Sequence, residues 1–510
     1  MKPAIQYSFI SCCLPLAFSP LTAECQSTAK EIPQQPNVLF ILTDDLQASS
    51  IHALGNEDVY TPAIDSLIAE GVTFTNTYTN GALCGALSMP SRAMLMTGRG
   101  LYNIQSDGMK IPKAHTTFPQ QFRRHGYRTF ATGKWHSDKA AFNRSFQEGD
   151  NIYFGGMHPY EQNGHCSPHL NHYDSTGVYG PKTKFTGEEF SSQMYADAAI
   201  RFLQKQKGDK QPFLAYVAFT SPHDPRNQLP NYGRKYSPDT LDVPRNFLPK
   251  HPFNNGEMRV RDELLLPAPR TEQQIQKELS DYYGMISEVD VQIGRIMEVL
   301  RATGQAENTI VVFASDNGLA VGRHGLLGKQ NLYDHSVKVP LTIIAPSYKN
   351  RKGEKNQSLC YLHDIAPTLC ELANIPLPES MNAQSLYPVL EDSGTTHRKE
   401  LFLAYSNIQR AFVNDSYKYI IYHVNGKITE QLFDLQKDPL EMHNLLTEKR
   451  EEANKLKKQL AFRMEEEDDF CNLNDPNWWQ DGHKLTFKEM QQLYICLLYT
   501  SDAADDLTRV

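Results

Sequence analysis

The chain has 510 residues, of which 40% are hydrophobic, 22% charged and 10% aromatic, so it is neither disordered nor fibrous and can form large cores. Its 51 lysines and arginines are outnumbered by 59 aspartates and glutamates, and the net charge of −8 offers no basic surplus for nucleic acid or anionic lipid. The 9 cysteines include no CxxC pair, which excludes a zinc ribbon and leaves a large globular protein, with an enzyme as the expected class.

The N-terminal sequence predicts a secretory signal peptide over residues 1–24. One lysine precedes a mostly apolar run that ends at Leu21, and small residues follow. Prolines interrupt this run, which is also too short for a membrane helix, and the alternative is a buried N-terminal helix. Glu24 stands where a lipid-anchor signal before Cys25 needs a small residue. We therefore expect a periplasmic or secreted protein without a lipid anchor or a stable membrane span.

Four short apolar runs of strand-forming residues end abruptly in polar side chains. The runs are Asn37–Leu42, Tyr127–Thr132, Phe213–Phe219 and Thr309–Ala314. The polar residues that follow them are Asp44 and Asp45, Lys134 and His136, His223 and Asp224, and Asp316 and Asn317. Continuous apolar runs are typical of parallel strands buried on both faces, and helical stretches lie between these. The sequence therefore predicts a doubly wound, mostly parallel α/β domain over residues 36–385, with the polar clusters converging beyond the carboxyl ends of the strands.

The segment between His223 and Thr271 is rich in proline and turn residues. A segment of this length and composition is not expected to be a core element. We expect either a functional loop that covers the site or a surface insertion.

The pattern changes towards the end of the chain, where residues 398–495 are predicted to form a smaller α+β subdomain. The strand-like run Ile420–Val424 continues into an Asn-Gly dipeptide, which indicates a tight hairpin in an antiparallel sheet. A charged helix is expected around Lys449–Glu467, with its charges on a solvated face. Residues 496–510 are interpreted as a sequencing-adapter scar, because codons for this stretch spell a common library adapter, and the alternative is an ordinary disordered tail.

The most specific stretch of the sequence runs Ser88-Met-Pro-Ser-Arg-Ala-Met-Leu-Met-Thr-Gly98, and a helix is expected from Ser91 to Gly98. It closely resembles the signature of the type I, formylglycine-dependent sulfatases of the alkaline phosphatase superfamily, Cys/Ser-x-Pro-Ser-Arg followed by Thr-Gly. The resemblance covers about Pro36 to Leu445 and implies a serine-type sulfatase, whose Ser88 a serine-type sulfatase-maturating enzyme oxidises to formylglycine (3-oxoalanine). Cys84 lacks the proline and arginine that the signature requires, so it is expected to be a small buried packing residue.

The same resemblance implies a metal site formed by position 88 together with two pairs of residues at strand ends: Asp44 and Asp45, Asp316 and Asn317. Three carboxylates and one amide oxygen also form, by their own chemistry, an all-oxygen set suited to a hard cation, Ca²⁺ before Mg²⁺. Each pair alone also fits a helix cap or a turn. Their joint occurrence with the Ser88 signature favours the metal site.

Five further residues match positions that this family uses for sulfate binding and catalysis: Arg92, Lys134, His136, His223 and Lys329. The resemblance implies that one hydroxyl of the hydrated formylglycine, polarised by Ca²⁺, attacks sulfur. Arg92, Lys134 and Lys329 would neutralise the sulfate oxygens, and His223 or Lys329 would protonate the departing alcohol. His136 would then take the proton of the second hydroxyl, which expels sulfate.

The expected substrate is a sulfated carbohydrate, by analogy with serine-type bacterial members of the family, and a simple aryl or choline sulfate is the alternative. Candidates for contacts with sugar hydroxyls, each with an alternative structural role, are Asp224, Arg226, Arg323 and His324. The rival enzyme is a phosphodiesterase or phosphonate hydrolase of the same superfamily, although no second metal set stands out in the sequence. A non-catalytic, glycan-binding pseudo-enzyme would follow if Ser88 were never oxidised.

Overall fold

The computed structural model describes residues 35–227 and 235–473 together with the isolated positions 1, 8, 229 and 232. Apart from positions 1 and 8, the predicted signal peptide lies outside the described residues, as does the whole predicted adapter scar. One compact unit begins at Gln35. The division into domains at 36–385 and 398–495 stays a prediction.

The predicted doubly wound α/β fold is confirmed by an eleven-stranded sheet with helices on both faces. Its strands are β1 Asn37–Thr43, β2 Val72–Tyr78, β4 Arg128–Lys134, β5 Glu148–Tyr153, β6 His169–Asn171, β7 Lys184–Thr186, β8 Phe213–Ala218, β9 Thr309–Ser315, β10 Lys338–Val339, β11 Leu341–Ile344 and β12 Glu354–Tyr361. Their order is β10-β2-β11-β9-β1-β8-β4-β5-β6-β7, and β12 pairs with β2. The central strands β9, β1, β8, β4 and β5 run parallel to one another.

Both faces of β1 are buried, as its continuous apolar run predicts. Val38, Phe40 and Leu42 belong to the core on one face of the sheet, and Leu39 and Ile41 belong to the core on the other. Because successive side chains of a strand point to opposite faces, such a strand needs an apolar residue at every position.

The helices that cover the sheet, together with shorter helical turns on the connections, are α1 Pro62–Glu70, α2 Ser88–Thr97, α3 Phe118–Arg124, α4 Lys139–Ser145, α5 Ser191–Lys205, α6 Arg261–Leu264, α7 Glu272–Ala302, α8 Asp334–Val337, α9 Ile365–Leu372, α10 Tyr387–Glu391 and α11 Arg450–Glu466. The 31-residue α7 begins at a capping box, in which Thr271 and Gln274 exchange hydrogen bonds. Helix α2 begins at Ser88, three residues earlier than the sequence predicts. Pro90 permits this start because a proline in the first turn lacks only an N–H that has no intrahelical partner.

A second, five-stranded sheet contains the predicted C-terminal strands. Its strands are β13 Glu400–Tyr405, β14 Gln409–Asn414, β15 Tyr417–Val424, β16 Lys427–Asp434 and β3 Gly81–Ala82, in the order β16-β15-β14-β13-β3. Asn425 and Gly426, with φ of 51° and 75°, form the predicted tight hairpin between β15 and β16. The expected charged helix is α11, which packs Leu456 and Leu460 against this sheet. None of the helices in the described ranges is long and apolar enough to cross a membrane.

Candidate active site

The polar residues that follow the central strands meet at one edge of the large sheet, as predicted. Strand β1 lies between β8 and β9, so its carboxyl end faces both of theirs. The Asp44 N–H donates to the Ser221 carbonyl oxygen at 3.2 Å, and the Asp316 N–H donates to the Thr43 carbonyl oxygen at 3.2 Å. Backbone hydrogen bonds thus join the ends of three neighbouring strands, β8, β1 and β9, at this edge.

Ser88 occupies the centre of this edge as the first residue of α2, with 2% of its surface exposed. Its Oγ donates to Asp44 Oδ1 at 3.2 Å and lies 3.1 Å from Lys329 Nζ and 3.4 Å from Asn317 Nδ2. Ser91 anchors the same helix, because its Oγ donates to the Asp316 carbonyl oxygen at 2.7 Å. The residue at position 88 therefore lies at the positive end of a buried helix.

Buried ion pairs surround Ser88. Lys134 Nζ lies 2.6 Å from Asp44 Oδ2, and Lys329 Nζ lies 2.6 and 2.7 Å from the two carboxylate oxygens of Asp45. Arg92 Nε donates to Asp316 Oδ2 at 2.8 Å. All six side chains are at most 5% exposed, so the charges act on one another with little screening by solvent.

These charges shift the pKa values of the carboxyl groups in opposite directions. Burial opposes ionisation of Asp44, but the charges of Lys134, Arg92 and Lys329 outweigh it and hold the Asp44 pKa below its usual value. Burial raises the pKa of Asp45; the charge of Lys329 opposes this shift, and the negative charges of Asp44 and Asp316 add to it. A cation bound beside Asp45 would favour the ionised form of its carboxyl group.

The donor set at this edge fits a hard cation. Ligand atoms of Asp44, Asp45 and His223 all lie within 4.8 Å of one another. Asp316 adjoins this group, since its Oδ1 accepts the Asp45 N–H at 3.1 Å, and Asn317 contacts Ser88 from the same strand end. Several buried carboxylates with an amide oxygen beside them match the preference of Ca²⁺ for oxygen ligands.

Unusual backbone geometry directs two of the site residues. Asp45 and His136 have φ of 65° and 62°, in the left-handed region that side chains other than glycine rarely adopt. Gly133 makes a close approach possible just before Lys134, because a Cβ there would lie 1.8 Å from the Ala218 carbonyl oxygen of β8. Such geometry persists where the surrounding contacts determine it, and it is frequent at functional sites.

Two histidines, His136 and His223, line the site beside Ser88. His223 Nε2 lies 3.5 Å from Asp45 Oδ2, while its Nδ1 lies 2.8 Å from the Asp224 carbonyl oxygen and 3.2 Å from the Asp224 carboxylate. The buried Nδ1 of His136 has no hydrogen-bond partner among the described residues. Burial, reinforced by nearby cations, holds the pKa of both imidazoles well below its usual value.

A cavity of about 350 Å³ opens above these groups. Its floor contains Ser88, His136, His223 and Lys329. Its wall comprises the end of β5 with the following loop, and the β6–β7 hairpin, including the aromatic residues Tyr153, Phe154 and Phe185. The volume is that of a pocket for a small organic ligand rather than for a bare inorganic anion.

Asp224 and Arg226, two of the proposed sugar contacts, are engaged within the protein. The Asp224 carboxylate contacts His223 and an Arg261 guanidinium, and Arg226 pairs with Glu278. Neither is a cavity-lining residue in the described part of the chain. A direct role in substrate binding stays a prediction, and the contacts favour a supporting role.

Arg323 and His324, the other two proposed sugar contacts, are also buried away from the cavity lining that the described residues form. Arg323 Nη1 donates to the Ala320 carbonyl oxygen at 3.2 Å. The His324 ring stacks on Tyr333 with ring centres 4.0 Å apart, and its Nε2 lies 2.9 Å from the Glu441 carbonyl oxygen. These contacts favour a structural role, although substrate binding by either residue stays a prediction.

Cys84 is half-buried, with its Sγ 3.9 Å from the Ala86 carbonyl oxygen. Burial, with a contribution from Asp107, raises its pKa to about 12, so the thiol is not an activated nucleophile. This behaviour agrees with the choice of Ser88 over Cys84 as the signature residue.

Sequence reasoning missed several residues that shape the site. The Tyr282 hydroxyl donates to the Asp45 carbonyl oxygen at 2.6 Å and accepts the Gln47 N–H at 3.0 Å. Arg261 and Asp262, in the short helix α6, line the cavity. The sequence feature that could have pointed to this helix is the run of three consecutive charged residues, Arg261-Asp262-Glu263, within the proline-rich segment.

Comparisons with known proteins agree with this geometry. A family profile described as Sulfatase matches residues 36–375, and one described as N-sulphoglucosamine sulphohydrolase, C-terminal, matches residues 322–469. An ulvan-active sulfatase from Formosa agariphila is 29% identical over 473 residues, covering 86% of this chain and 84% of that relative. An N-acetylglucosamine-6-O-sulfatase from Bacteroides thetaiotaomicron is 25% identical, covering 91% of each chain.

Solved structures share the fold. One, in complex with its substrate D-glucosamine-2-N,6-O-disulfate, has a TM-score of 0.68 at 22% identity, covering 87% of this chain and 99% of that chain. A phosphonate monoester hydrolase of Agrobacterium radiobacter has a TM-score of 0.65 at 23% identity, covering 84% of this chain and 96% of that chain. At these identities the likeness shows the fold alone. With the family profile extending over most of the chain, the protein belongs to the sulfatase family of sulfuric ester hydrolases.

Proposed function

We propose that the protein hydrolyses sulfate monoesters of carbohydrates, through formylglycine made from Ser88 and with a bound Ca²⁺ ion. The observation that carries this proposal is the position of Ser88. Its hydroxyl lies within 3.4 Å of groups on Asp44, Lys329 and Asn317, on the floor of a cavity. A reacting group at position 88 would thus meet the predicted metal ligands and a cation at once.

The residues proposed to hold Ca²⁺ are Asp44, Asp45, Asp316 and Asn317, together with the modified residue 88. Bound there, Ca²⁺ would act as a Lewis acid on the nucleophile and on a sulfate oxygen, and formylglycine would supply a hydrated aldehyde with two hydroxyls. An unmodified serine carries a single hydroxyl and would not be regenerated. We therefore propose a serine-type sulfatase-maturating enzyme as an obligatory partner.

Arg92, Lys134 and Lys329 are proposed to bind and neutralise the sulfate group. Lys329 is the best placed of the three, because its Nζ already lies 3.1 Å from Ser88 Oγ and the residue lines the cavity. Arg92 and Lys134 lie deeper and are linked to each other, since Arg92 Nη1 donates to the Lys134 carbonyl oxygen at 2.9 Å. Charges fixed in this way need little reorganisation as the reaction proceeds.

His223, or Lys329 beside it, is proposed to donate a proton to the leaving alcohol, and His136 to accept the proton from the second hydroxyl of residue 88. Both histidines line the cavity next to Ser88. Among the described residues Nδ1 of His136 has no hydrogen-bond partner, whereas Nδ1 of His223 contacts the Asp224 carbonyl oxygen. The two imidazoles thus have distinct environments, as two different proton-transfer roles require.

A sulfated carbohydrate is the substrate class that the site supports best. The relatives include proteins named for ulvan and for N-acetylglucosamine 6-O-sulfate. The aromatic wall formed by Tyr153, Phe154 and Phe185 offers apolar faces for a sugar ring, while Asn171 and Asp262 offer polar partners for hydroxyls. Export to the periplasm or the exterior stays a prediction of the N-terminal sequence.

The phosphonate hydrolase is the second candidate, since one shares this fold. A panel assay separates the candidates: protein co-expressed with a serine-type maturating enzyme is offered sulfated monosaccharides, a phosphodiester and a phosphonate monoester. We expect hydrolysis of a sulfate ester, and loss of activity in Ser88→Ala with the fold retained. The matched control is the exposed Ser416→Ala, which should keep full activity. Preference for the phosphorus esters, or activity in Ser88→Ala, would refute the proposal.

A further inference from the structure

The short helix α6, which sequence reasoning did not connect to the site, touches the catalytic edge on two sides. It lies within the proline-rich segment and presents three consecutive charged residues, Arg261, Asp262 and Glu263. Asp262 and Glu263 are 5% and 6% exposed. Charged side chains are rarely buried to this degree without specific partners, so the contacts of Asp262 and Glu263 indicate what helix α6 does.

Glu263 anchors helix α6 to the loop that carries Lys329. Its carboxylate accepts the N–H groups of Leu327, at 2.9 and 3.1 Å, and of Gly328, at 2.8 Å. Arg270 Nη2 donates to the same carboxylate at 2.7 Å, and the positive guanidinium compensates the negative charge of Glu263. The carboxylate is thereby satisfied on several sides and held in one position.

Asp262 makes a second connection to the same loop. Gln330 Nε2 donates to Asp262 Oδ2 at 2.7 Å, and Gln330 Oε1 accepts the Lys329 N–H at 3.1 Å. The packing here is tight, because a Cβ at Gly328 would lie 2.5 Å from Gln330 Oε1 and 2.7 Å from Asp262 Cβ. Helix α6 and the loop that carries Lys329 therefore form one rigid unit, here called the α6 support.

Arg261 extends from this support to the other side of the site, where His223 lies. Its guanidinium pairs with the Asp224 carboxylate and, at 2.7 Å, with Asp262 Oδ1. The Asp224 carboxylate in turn lies 3.2 Å from His223 Nδ1, on the side of the ring away from Asp45. The Asp224 carbonyl oxygen also lies 2.8 Å from this Nδ1. The carbonyl and the chain of contacts from Arg261 through the Asp224 carboxylate together hold the His223 ring with its Nε2 towards Asp45, 3.5 Å from Oδ2.

We propose that Arg261 is a positioning residue for proton donation to the leaving group, acting through Asp224 on His223 from the rigid α6 support. The inference rests on the proposed function. As an oxygen of the modified residue 88 forms its bond to sulfur, the bond from sulfur to the ester oxygen breaks and its electron pair passes to that oxygen. The ester oxygen takes up the Nε2 proton of His223, whose imidazolium form the bound sulfate anion favours and which becomes neutral in this step. Misalignment of the ring slows this transfer without removing the nucleophile, the metal ligands or Lys329.

The test compares two sulfate esters whose leaving groups differ in their need for a proton. Phenol is a weaker acid than 4-nitrophenol, so hydrolysis of phenyl sulfate depends more on protonation of the departing oxygen than hydrolysis of 4-nitrophenyl sulfate does. We expect Arg261→Met to lower kcat/KM for phenyl sulfate by about tenfold more than for 4-nitrophenyl sulfate. Arg261→Lys restores a charge beside Asp224 and should recover part of this difference.

Arg259→Met serves as the matched control, because Arg259 is an exposed arginine of the same segment outside the cavity lining that the described residues form. It should leave both rates unchanged. Asp224→Asn is a second test variant, with the same selective loss expected, and thermal unfolding shows whether each variant is folded.

Equal losses on both esters, or no loss, would overturn the inference while leaving the sulfatase proposal intact. An equal loss that added Ca²⁺ reverses would overturn it as well, because His223 would then act as a metal ligand. If the matured wild-type protein hydrolysed no sulfate ester at all, the proposed function would fail and the inference with it.

Discussion

Lys329 and Ser88, 241 residues apart in the sequence, lie with Nζ 3.1 Å from Oγ in a buried site. The same ammonium group donates to both oxygens of the Asp45 carboxylate. Although burial disfavours its charge, Asp45, Asp44 and Asp316 outweigh this effect and hold the Lys329 pKa above its usual value. Lys329 thus places a positive charge next to the proposed nucleophile.

Removal of this charge should impair turnover. We expect Lys329→Ala to lower kcat by roughly 10²–10³-fold, the range for the loss of one preorganised group that stabilises charge in a transition state. Steady-state kinetics on the best sulfate ester of the panel measure it. Lys349→Ala, at an exposed lysine that pairs with Glu307, is the matched control and should keep wild-type kinetics. A wild-type kcat in Lys329→Ala would contradict the role given to this residue.

Calcium should stabilise the folded protein as well as activate it. At a free Ca²⁺ concentration of about 100 times its Kd, the free energy of unfolding should rise by about 2.7 kcal/mol, because the ion binds the folded state alone. Chelation should remove both this gain and the activity, and Asp45→Asn should weaken both responses. Thermal and urea unfolding measure the effect, with the exposed Asp239→Asn as control. No response of either stability or activity to chelation would count against a metal site.

Glu288, buried in α7, should make stability depend on pH. Burial raises its pKa to about 7, although hydrogen bonds from Ser192 and Gln292 oppose the shift. As pH rises above the ordinary value near 4.5, the unfolded chain loses this proton while the folded chain keeps it, so stability falls until about pH 7. Glu288→Gln avoids this loss and should be about 1–3 kcal/mol more stable than wild type at pH 8.

The matched control for this prediction is the exposed Glu298→Gln on the same helix. Urea unfolding at pH 5 and pH 8 measures the difference between variant and wild type. The advantage of Glu288→Gln should shrink towards the lower pH. An advantage of the same size at both pH values would show that the titration of Glu288 is not its cause.

His324 is expected to support the fold rather than the substrate, because its ring stacks on Tyr333 and hydrogen bonds to the Glu441 backbone. We expect His324→Ala to lower the free energy of unfolding by about 2 kcal/mol and to leave KM unchanged. His324→Gln retains a donor near the position of Nε2 and should recover part of the stability. A raised KM with unchanged stability would instead favour a contact with sugar.

The sequence predicts that polar residues meet at one edge of the large sheet because two physical regularities act together. Parallel strands buried on both faces require continuous apolar runs, and their carboxyl ends meet at one edge, so the positions of Asp44, Lys134, His223 and Asp316 follow from the runs before them. The Ser88 signature adds a local pattern that few other functions require. The structure brings all of these residues together.

The cavity wall and the α6 support could not be predicted in the same way. The β6–β7 hairpin has three residues in each strand, too few for a periodic pattern. Arg261 reaches Asp224, and Glu263 reaches Gly328, through long-range contacts, and nothing local in a proline-rich segment specifies them. For the same reason the sequence does not reveal the contact of His324 with the Glu441 carbonyl oxygen, because that partner lies 117 residues away.

The state of residue 88 tests the central claim most directly. Mass spectrometry of the peptide that contains Ser88, from protein isolated from its native host, should show a species lighter by two hydrogen atoms, as expected for formylglycine. An intact serine throughout a preparation that hydrolyses sulfate esters would contradict the account.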